Sequence, residues 1–419
     1  MFSKVKLTIT EYPNTFKVLT LATFIDMLGR FLLYPFFALY ITTRFGVGMT
    51  QVGLLFAILS AGNIFGGLIG GALADKYGRR SLILFGLIVS GTGSILMGLV
   101  DDLNIFYILT AFLGLIGNLG GPARQAMVAD LLPKDKQAEG FGILRVAFNL
   151  SATIGPIFGG FLATQSYMTL FIADAISSII TAIIVYLVIP ETKPPKKDGK
   201  QEDSIMKTIV GYKEVLKDST YILFLSVSAI MVIVYMQMNS TLSVFLYQAY
   251  DFSSQSFGLL LSMNALMVVL FQFWITKKIS KYAPMKMMTF GTVFYLIGFG
   301  MYGFVSEEYL FFIAMAIITV GEMIVTPIGQ SVAASFAPED KRGRYMAMFG
   351  FSWAIPNLFG VLVAGLIMDN IGSNWVWYIA GILSLITMIG YWLLHDITKA
   401  RFLKEKNSYE EDLQIITSV

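Results

Sequence analysis

The sequence contains no cysteine and only one histidine, His395. Disulfides, cysteine metal sites and thiol catalysis are therefore excluded, and one histidine cannot form a histidine-based metal site or catalytic triad. Charged residues are also scarce, at 14% of 419 residues, whereas soluble domains contain about a quarter. Hydrophobic residues make up 56% of the chain, more than a water-soluble core of this length could bury. We therefore expect the chain to lie in a lipid bilayer.

Long apolar segments fill most of the sequence. A bilayer core about 30 Å thick takes roughly 20 residues of helix, and backbone facing lipid must satisfy its hydrogen bonds internally. Twelve segments meet this need, and we number them spans 1 to 12: 16–42, 50–74, 81–100, 105–131, 141–164, 169–189, 219–247, 255–277, 285–304, 309–336, 344–368 and 374–395. The predicted fold class is an all-α membrane protein with twelve transmembrane helices.

Basic residues predict the orientation of these spans. Most of the 30 lysines and arginines fall in the termini and in the loops that follow even-numbered spans, and cytoplasmic loops are the ones that keep basic residues. The sequence thus predicts a multi-pass protein of the plasma (inner) membrane with both termini in the cytoplasm. The net charge of +3 reflects this topology, and no basic run indicates nucleic-acid binding.

The two halves of the chain repeat one another. Pro122, Gln125 and Pro133 recur as Pro327, Gln330 and Pro338, each about 205 residues further on. Two six-helix halves that arise by such duplication, with a site at their interface, are the architecture of a secondary transporter. The predicted organisation is a first half over 1–189, a cytoplasmic linker with an amphipathic helix over 190–218, a second half over 219–395 and a cytoplasmic tail over 396–419.

The loop between spans 2 and 3 carries the most specific motif, with its constrained positions at Gly71, Asp75, Gly78, Arg79 and Arg80. It resembles the loop between helices 2 and 3 of the major facilitator superfamily. The resemblance implies that Asp75 caps the cytoplasmic start of span 11 across the two halves and so closes an inner gate; a carboxylate at a helix N-terminus is worth about 0.3–1 kcal/mol. The alternative for the two arginines is that they only anchor the loop.

Span 5 carries a second motif, made of Gly142, Gly155, Pro156, Gly159 and Gly160. It resembles the signature of the drug/proton antiporter branch of the same superfamily, with serine at one glycine position. Small residues spaced this way also permit close helix packing, which is the alternative explanation. The segment from Gly321 to Pro327 resembles multidrug/proton antiporters of the LmrP and MdtH type, although the span-7 carboxylate of the LmrP type is replaced here by the run 237–239.

Among the charged residues inside the predicted spans, five are candidates for function: Asp26, Arg30, Arg124, Arg145 and Glu322. Each costs on the order of 3 kcal/mol or more at the bilayer centre unless it is paired or hydrated. At about 1.5 Å per residue, Asp26 and Arg124 lie at similar depths. We therefore predict an ion pair between them, with Arg30 nearer the midplane; separate hydration of each group is the alternative.

Glu322 lies near the midplane of span 10 with no basic residue close in sequence. Burial disfavours the charged carboxylate, so we expect Glu322 to hold a proton and to release it when a cation or water arrives. Proton coupling is thus assigned to Glu322 and Asp26. The alternative is a permanently protonated, structural glutamate.

The remaining wall of the predicted cavity is apolar and polarisable. Flexible methionine and aromatic faces accept varied lipophilic ligands, although lipid-facing packing is an alternative for each of these residues. The predicted substrate contacts are Tyr34, Phe37, Gln237, Met238, Asn239, Asn264 and Met323.

These features predict a monomeric secondary transporter that exports lipophilic or cationic compounds in exchange for protons by alternating access, surrounded by membrane lipids. The sequence shows no enzyme site and no ATP-binding loop, so a proton gradient takes the place of a cofactor. A lipid or lysolipid flippase and a sugar or peptide symporter are alternatives within transporters. A non-transporting membrane sensor is the alternative from another class.

Overall fold

The structure, a computed structural model, describes residues 12–193, 215–338 and 341–417, and within these ranges it contains helices and no strand. Every predicted span coincides with helix. Spans 1 to 6 comprise Asn14–Leu33 with Phe37–Phe45, Met49–Tyr77, Arg79–Leu99, Leu103–Gly117 with Gly120–Leu131, Lys134–Gln165, and Tyr167–Val188. Spans 7 to 12 comprise Ser219–Met236 with Thr241–Tyr250, Ser254–Ile279, Pro284–Met301, Glu308–Ser335, Arg342–Asn370, and Ser373–Thr417. The predicted all-α membrane class is confirmed.

Eleven of these helical segments are long and apolar enough to cross a membrane. The remaining one is span 9, an 18-residue helix over Pro284–Met301. Its first turn contains Lys286, which makes it less apolar than the others. Below, the ends of the spans that are predicted to face away from the cytoplasm are called the outer ends.

Three spans are interrupted, which the continuous apolar runs did not predict. Span 1 breaks at a 3₁₀ turn over Tyr34–Phe36, where Pro35 has no N–H to donate. Span 7 breaks at a 3₁₀ turn over Gln237–Asn239. These turns lie within two residues of equivalent places in the two sequence repeats, and short 3₁₀ stretches inside long helices often mark hinges. Span 4 is interrupted between Gly117 and Gly120.

The chain forms two compact units. Among the described residues, unit 1 contains 12–193, 237–269 and 357–373, so parts of spans 7, 8 and 11 belong with spans 1 to 6. Within it, span 1 packs on spans 5 and 6, and span 2 packs on span 4. Unit 2 contains the described residues 215–236, 270–338, 341–356 and 374–417, and within it span 9 packs on span 10.

The domain boundaries drawn from the sequence stay predictions. Most of the predicted linker lies outside the described residues, so its amphipathic helix also stays a prediction. The tail differs from expectation, since the helix of span 12 continues from Ser373 to Thr417 instead of ending near His395. Residues 396–417 contain no glycine or proline and are rich in residues that favour helix.

Candidate functional site

A buried ion pair lies at the centre of unit 1. Arg124 donates a hydrogen bond from a guanidinium nitrogen to Oδ2 of Asp26 at 2.9 Å. The Asp26 side chain is 0% exposed, and the Nε atom of Arg30 lies 3.9 Å from the same oxygen. The Ser178 hydroxyl donates to Oδ1 of Asp26 at 3.5 Å. The ion pair predicted between Asp26 and Arg124 is therefore present.

Close packing of spans 1 and 6 keeps water from Asp26. A Cβ atom at Gly29 would lie 1.8 Å from Oγ of Ser177 and 3.1 Å from Cα of Asp174, so only glycine allows this approach. Asp174 is itself buried, and its Oδ1 atom has no hydrogen-bond partner among the described residues. From the sequence, the position of Asp174 within about a turn of the start of span 6 predicts a capping or interface role and not a place in the site.

A cavity of about 520 Å³ lies beside this ion pair within unit 1. Arg30 of span 1, Arg124 of span 4 and Arg145 of span 5 all line it. The charged residues predicted inside these three spans therefore meet at one space. Because a cavity lets water or a ligand reach guanidinium groups at membrane depth, it explains how three cationic side chains are tolerated there.

Glu322 lies in unit 2 among aromatic side chains. Its carboxylate accepts a hydrogen bond of 2.9 Å from the Tyr235 hydroxyl. The Tyr235 ring lies edge-on to Trp353 at 6.1 Å between centroids and 6.4 Å from Tyr295. A cavity of about 40 Å³ is lined by these three rings and has room for water. The sequence pointed to Glu322 but missed its aromatic partners, which come from spans 7, 9 and 11.

The residues predicted to line the substrate cavity are mostly packed. Phe37, Gln237, Met238, Asn264 and Met323 are buried. The Gln237 amide donates to the carbonyl of Gly360 at 3.3 Å, and the Phe37 ring lies 6.0 Å from that of Phe56.

Tyr34 is exposed and Asn239 is partly exposed. Both lie in the 3₁₀ turns described above. Contact with substrate stays a prediction for these two residues and for the five buried ones.

One protein family matches almost the entire chain. The sequence model described as Major Facilitator Superfamily aligns with residues 19–306 and again with 235–416. The chain belongs to the major facilitator superfamily. It is accordingly a multi-pass membrane transporter and not an enzyme.

Proteins similar to this chain differ in the functions that their names give. The chain is 25% identical to a Na⁺, Li⁺, K⁺/H⁺ antiporter of Planococcus maritimus, with 92% of this chain and 97% of that protein aligned. It is 22% identical to the multidrug resistance protein MdtH of Yersinia enterocolitica, over 89% of this chain and 93% of that protein. The crystal structure of the nucleoside transporter NupG, in a mutant form, matches with a TM-score of 0.80 at 13% identity, covering 91% of this chain and all of that one. This last likeness shows the shared fold.

A carboxylate that the sequence analysis did not identify binds the loop motif between spans 2 and 3. Glu191, which follows span 6, accepts hydrogen bonds from the backbone N–H groups of Arg79 at 2.8 Å and Arg80 at 3.2 Å. Gly78 has a positive φ of 102°, and a Cβ atom there would lie 2.3 Å from the Glu191 carboxylate. Glu191 thus caps the start of span 3, where the positive end of the helix dipole favours an anion.

The two arginines of the motif bind within unit 1. Arg79 forms an ion pair with Asp130 at 3.3 Å. Arg80 donates to the carbonyl of Tyr186 and lies over that ring. Gly71 has open space around it. The structure describes the backbone of Asp75 but not its side chain. The gating role of Asp75 therefore stays a prediction.

The span-5 motif produces close helix contacts at three of its glycines. A Cβ atom at Gly155 would lie 2.5 Å from Cβ of Phe31, and one at Gly159 would lie 2.3 Å from the carbonyl oxygen of Leu32. A Cβ atom at Gly160 would lie 2.6 Å from the carbonyl oxygen of Ser254, at the start of span 8. Pro156 lies inside the same helix. The motif therefore packs span 5 against both span 1 and span 8.

Gly142 and Gly155 provide a matched pair of substitutions in this motif. Gly155→Ala should lower stability by about 1–3 kcal/mol, because the new methyl group overlaps Phe31. A Cβ atom at Gly142 meets nothing within 4 Å, so Gly142→Ala should be neutral or stabilising by about 0.5–1 kcal/mol. Thermal melting of the purified protein followed by tryptophan fluorescence measures both. Equal melting temperatures for the two variants would contradict the packing role.

A carboxylate joins spans 2 and 11 at their outer ends within unit 1. Asp369 accepts hydrogen bonds from the backbone N–H groups of Met49 at 2.9 Å and Thr50 at 2.7 Å. These are the first amides of span 2, and a Cβ atom at Gly48 would lie 2.4 Å from the Asp369 carboxylate. We call this contact the outer latch. It is the outer counterpart of the inner contact predicted for Asp75.

The outer latch should hold the outer ends of these spans together. Asp369→Asn removes the charge from two hydrogen bonds, and hydrogen bonds to charged groups are worth about 1.5–3 kcal/mol. In a chain that carries Ala364→Cys as a reporter, we expect Asp369→Asn to make thiol labelling of this cysteine roughly tenfold faster. Ala364 is buried, and its neighbour Gly365 lies in close contact with span 2. The natural chain contains no cysteine, so the label reports on this position alone. Unchanged labelling would exclude a latch function.

Proposed function

We propose that this protein is a proton-coupled antiporter that exports lipophilic or cationic compounds by alternating access. The observation that carries the proposal is Glu322, a carboxyl group within span 10 that is hydrogen-bonded by Tyr235 and flanked by aromatic rings. A carboxylate inside a span is costly and is usually retained for function. Proton and cation compete for it, so that binding of one releases the other.

The side chains around Glu322 have the chemistry that attracts a lipophilic cation. Tyr235, Tyr295 and Trp353 present aromatic faces, and a cation over such a face gains about 0.5–2 kcal/mol beyond its attraction to the carboxylate. Methionines of spans 7 and 9 line the same small cavity. Flexible thioether side chains adapt to ligands of different shapes. The aligned relative MdtH is a multidrug resistance protein, which supports the same substrate class.

The proposal includes the cellular setting. The protein is a monomer of the plasma membrane with both termini in the cytoplasm, as its basic loops predict. The proton gradient supplies the energy, and no cofactor is required.

Monovalent cation/proton antiport is a second candidate. It is favoured by the relative from Planococcus maritimus, which aligns with 92% of this chain. The same competition at Glu322 would serve a metal cation. A small hydrated ion, however, gains less from aromatic faces than an organic cation with apolar substituents does.

Reconstituted vesicles with an imposed pH gradient test both candidates. The expected result is uphill movement of a lipophilic cationic dye that stops when a protonophore collapses the gradient. Uphill movement of Na⁺, Li⁺ or K⁺ without dye movement would favour the second candidate. Movement of lipid between leaflets without a gradient would favour a flippase, and no movement of any probe would favour a sensor; both results would refute the proposal.

A further inference from the structure

The Asp174 carboxyl group lies deep inside span 6. The helix of this span begins at Tyr167, so Asp174 is roughly 10 Å from its outer end at 1.5 Å per residue. A helix dipole acts within the first turn, so it does not account for an acid at this depth. The residue is only 6% exposed. A buried acid inside a span is costly and is usually retained for function.

One oxygen of this carboxyl group lacks a donor. Oδ1 of Asp174 is buried and has no hydrogen-bond partner among the described residues. Span 3 packs on span 6 and contributes Ser94 to the surroundings of the carboxyl group, but residues 81–100 of span 3 include no ionisable side chain. A carboxylate in water accepts several hydrogen bonds, and burial without replacements for them disfavours the charged form. Proton uptake at Oδ1 removes the charge.

Within the described part of the chain, the charged groups that act on Asp174 belong to span 1. Arg30 attracts its carboxylate, and Asp26 repels it. Asp26 is already paired with Arg124 at 2.9 Å. Span 5 also packs on span 6, and the charged residue within its predicted range, Arg145, lines the cavity of unit 1. The ionisation of Asp174 therefore depends on the position of Arg30.

Arg30 faces both the buried acids and the cavity. Its side chain is 47% exposed and lines the cavity of about 520 Å³. Its Nε atom lies 3.9 Å from Asp26, which is longer than a hydrogen bond, so this contact does not fix the guanidinium group. Arg30 also lies in the last helical turn before the 3₁₀ turn over Tyr34–Phe36. A bend there can rotate Arg30 away from the acids and toward the cavity.

We propose that Asp174 is a second proton-binding residue of the transporter and that Arg30 controls its protonation. While Arg30 faces Asp174, the carboxylate stays charged. When Arg30 turns to the cavity, water enters and gives a proton to Oδ1, and the new O–H bond breaks again when Arg30 returns. The role of this proton in transport rests on the proposed function, because it adds to the proton exchanged at Glu322. Two protons then enter for each monovalent cation that leaves.

Infrared spectroscopy of the full chain in phosphatidylcholine nanodiscs tests proton binding without substrate or gradient. A protonated carboxylic acid has a carbonyl band that the carboxylate lacks, and a buried acid without a hydrogen bond absorbs at higher frequency than a hydrated one. The unaltered protein should show such a band, which disappears as the pH is raised and which Asp174→Asn lacks at every pH. Asp101→Asn removes an exposed acid and should leave this band in place. Identical bands in the unaltered protein and in Asp174→Asn would overturn the proposal.

Arg30→Gln tests the control of protonation by arginine. Removal of the facing positive charge favours the neutral acid, so the band should persist to a pH about one to three units higher. Arg44→Gln makes the same change at the surface, where Arg44 pairs with Asp101, and should not change the titration. If Arg30 were merely structural, Arg30→Gln would leave the titration of the band unchanged, and that result would overturn the proposed control.

Transport in vesicles tests the second proton. With the membrane potential held at zero and a pH difference of one unit, two protons can concentrate a monovalent cation about 100-fold and one proton about tenfold, since each contributes a factor of ten. Asp174→Asn should therefore lower the steady-state dye ratio by up to about tenfold. An unchanged ratio would overturn the second proton. Absence of uphill dye movement in the unaltered protein would refute the proposed function, whereas the infrared titration would still decide whether Asp174 binds a proton.

Discussion

Glu322→Gln should reduce uphill export of a lipophilic cation to the level of empty vesicles. Glutamine preserves the shape of the side chain and can still accept the hydrogen bond from Tyr235, but it cannot gain or lose a proton near neutral pH. Exchange of proton for substrate is then impossible. Flux down a substrate gradient should persist at a reduced rate, because alternating access does not itself require the carboxylate. Dye flux into vesicles with and without an imposed pH gradient measures both quantities.

Glu308→Gln provides the matched control for this prediction. It makes the same change on the same helix, at an exposed position in the first turn of span 10. Its gradient-driven flux should equal that of the unaltered protein. Should Glu322→Gln continue to concentrate dye against its gradient, the coupling carboxylate must lie elsewhere, and Asp26 and Asp174 become the next residues to test.

Asp26→Asn should be the most destabilising single change in unit 1. It leaves the Arg124 guanidinium without its 2.9 Å carboxylate partner and removes the charge that faces Arg30. Loss of one partner of a buried ion pair typically costs about 3–5 kcal/mol, since the other charge is left uncompensated. We expect a clear drop in melting temperature and in yield of folded protein, together with loss of transport.

A double-mutant cycle separates the ion pair from simple loss of packing. Arg124→Gln in the Asp26→Asn background removes the stranded charge, so the double variant should melt above the Asp26→Asn variant. Asp101→Asn is the matched control, because Asp101 pairs with Arg44 where both side chains are exposed, and such pairs contribute only about 0–1 kcal/mol. A melting temperature of Asp26→Asn equal to that of Asp101→Asn would show that the buried pair does not stabilise the fold.

The sequence predicted what depends on local pattern. Each span has a continuous apolar run, and each charged residue within a span must find a partner or water, so Asp26, Arg124 and Glu322 could be identified without coordinates. Equal depth along their helices was enough to predict the Asp26–Arg124 pair. The positions of close contact in span 5 also follow from its glycines, since no other residue allows such approach.

Contacts between distant segments could not be predicted in this way. Glu191 and Asp369 each follow a span and resemble ordinary loop acids, yet each caps the first turn of another helix. Tyr235 is one of several tyrosines in the second half, and nothing in its neighbourhood indicates that it faces Glu322. The break at Gln237–Asn239 contains no proline, so it arises from tertiary packing rather than from a local breaker.

The paired 3₁₀ turns divide the first helix of each sequence repeat into two rods. The outer rods, Phe37–Phe45 and Thr241–Tyr250, pack against one another within unit 1, while Asp26 lies on the inner rod of span 1. A bend at Tyr34–Phe36 can therefore swing the outer rod without stretching the 2.9 Å bond between Asp26 and Arg124. The charged centre can stay assembled while the outer ends of spans 1 and 7 move.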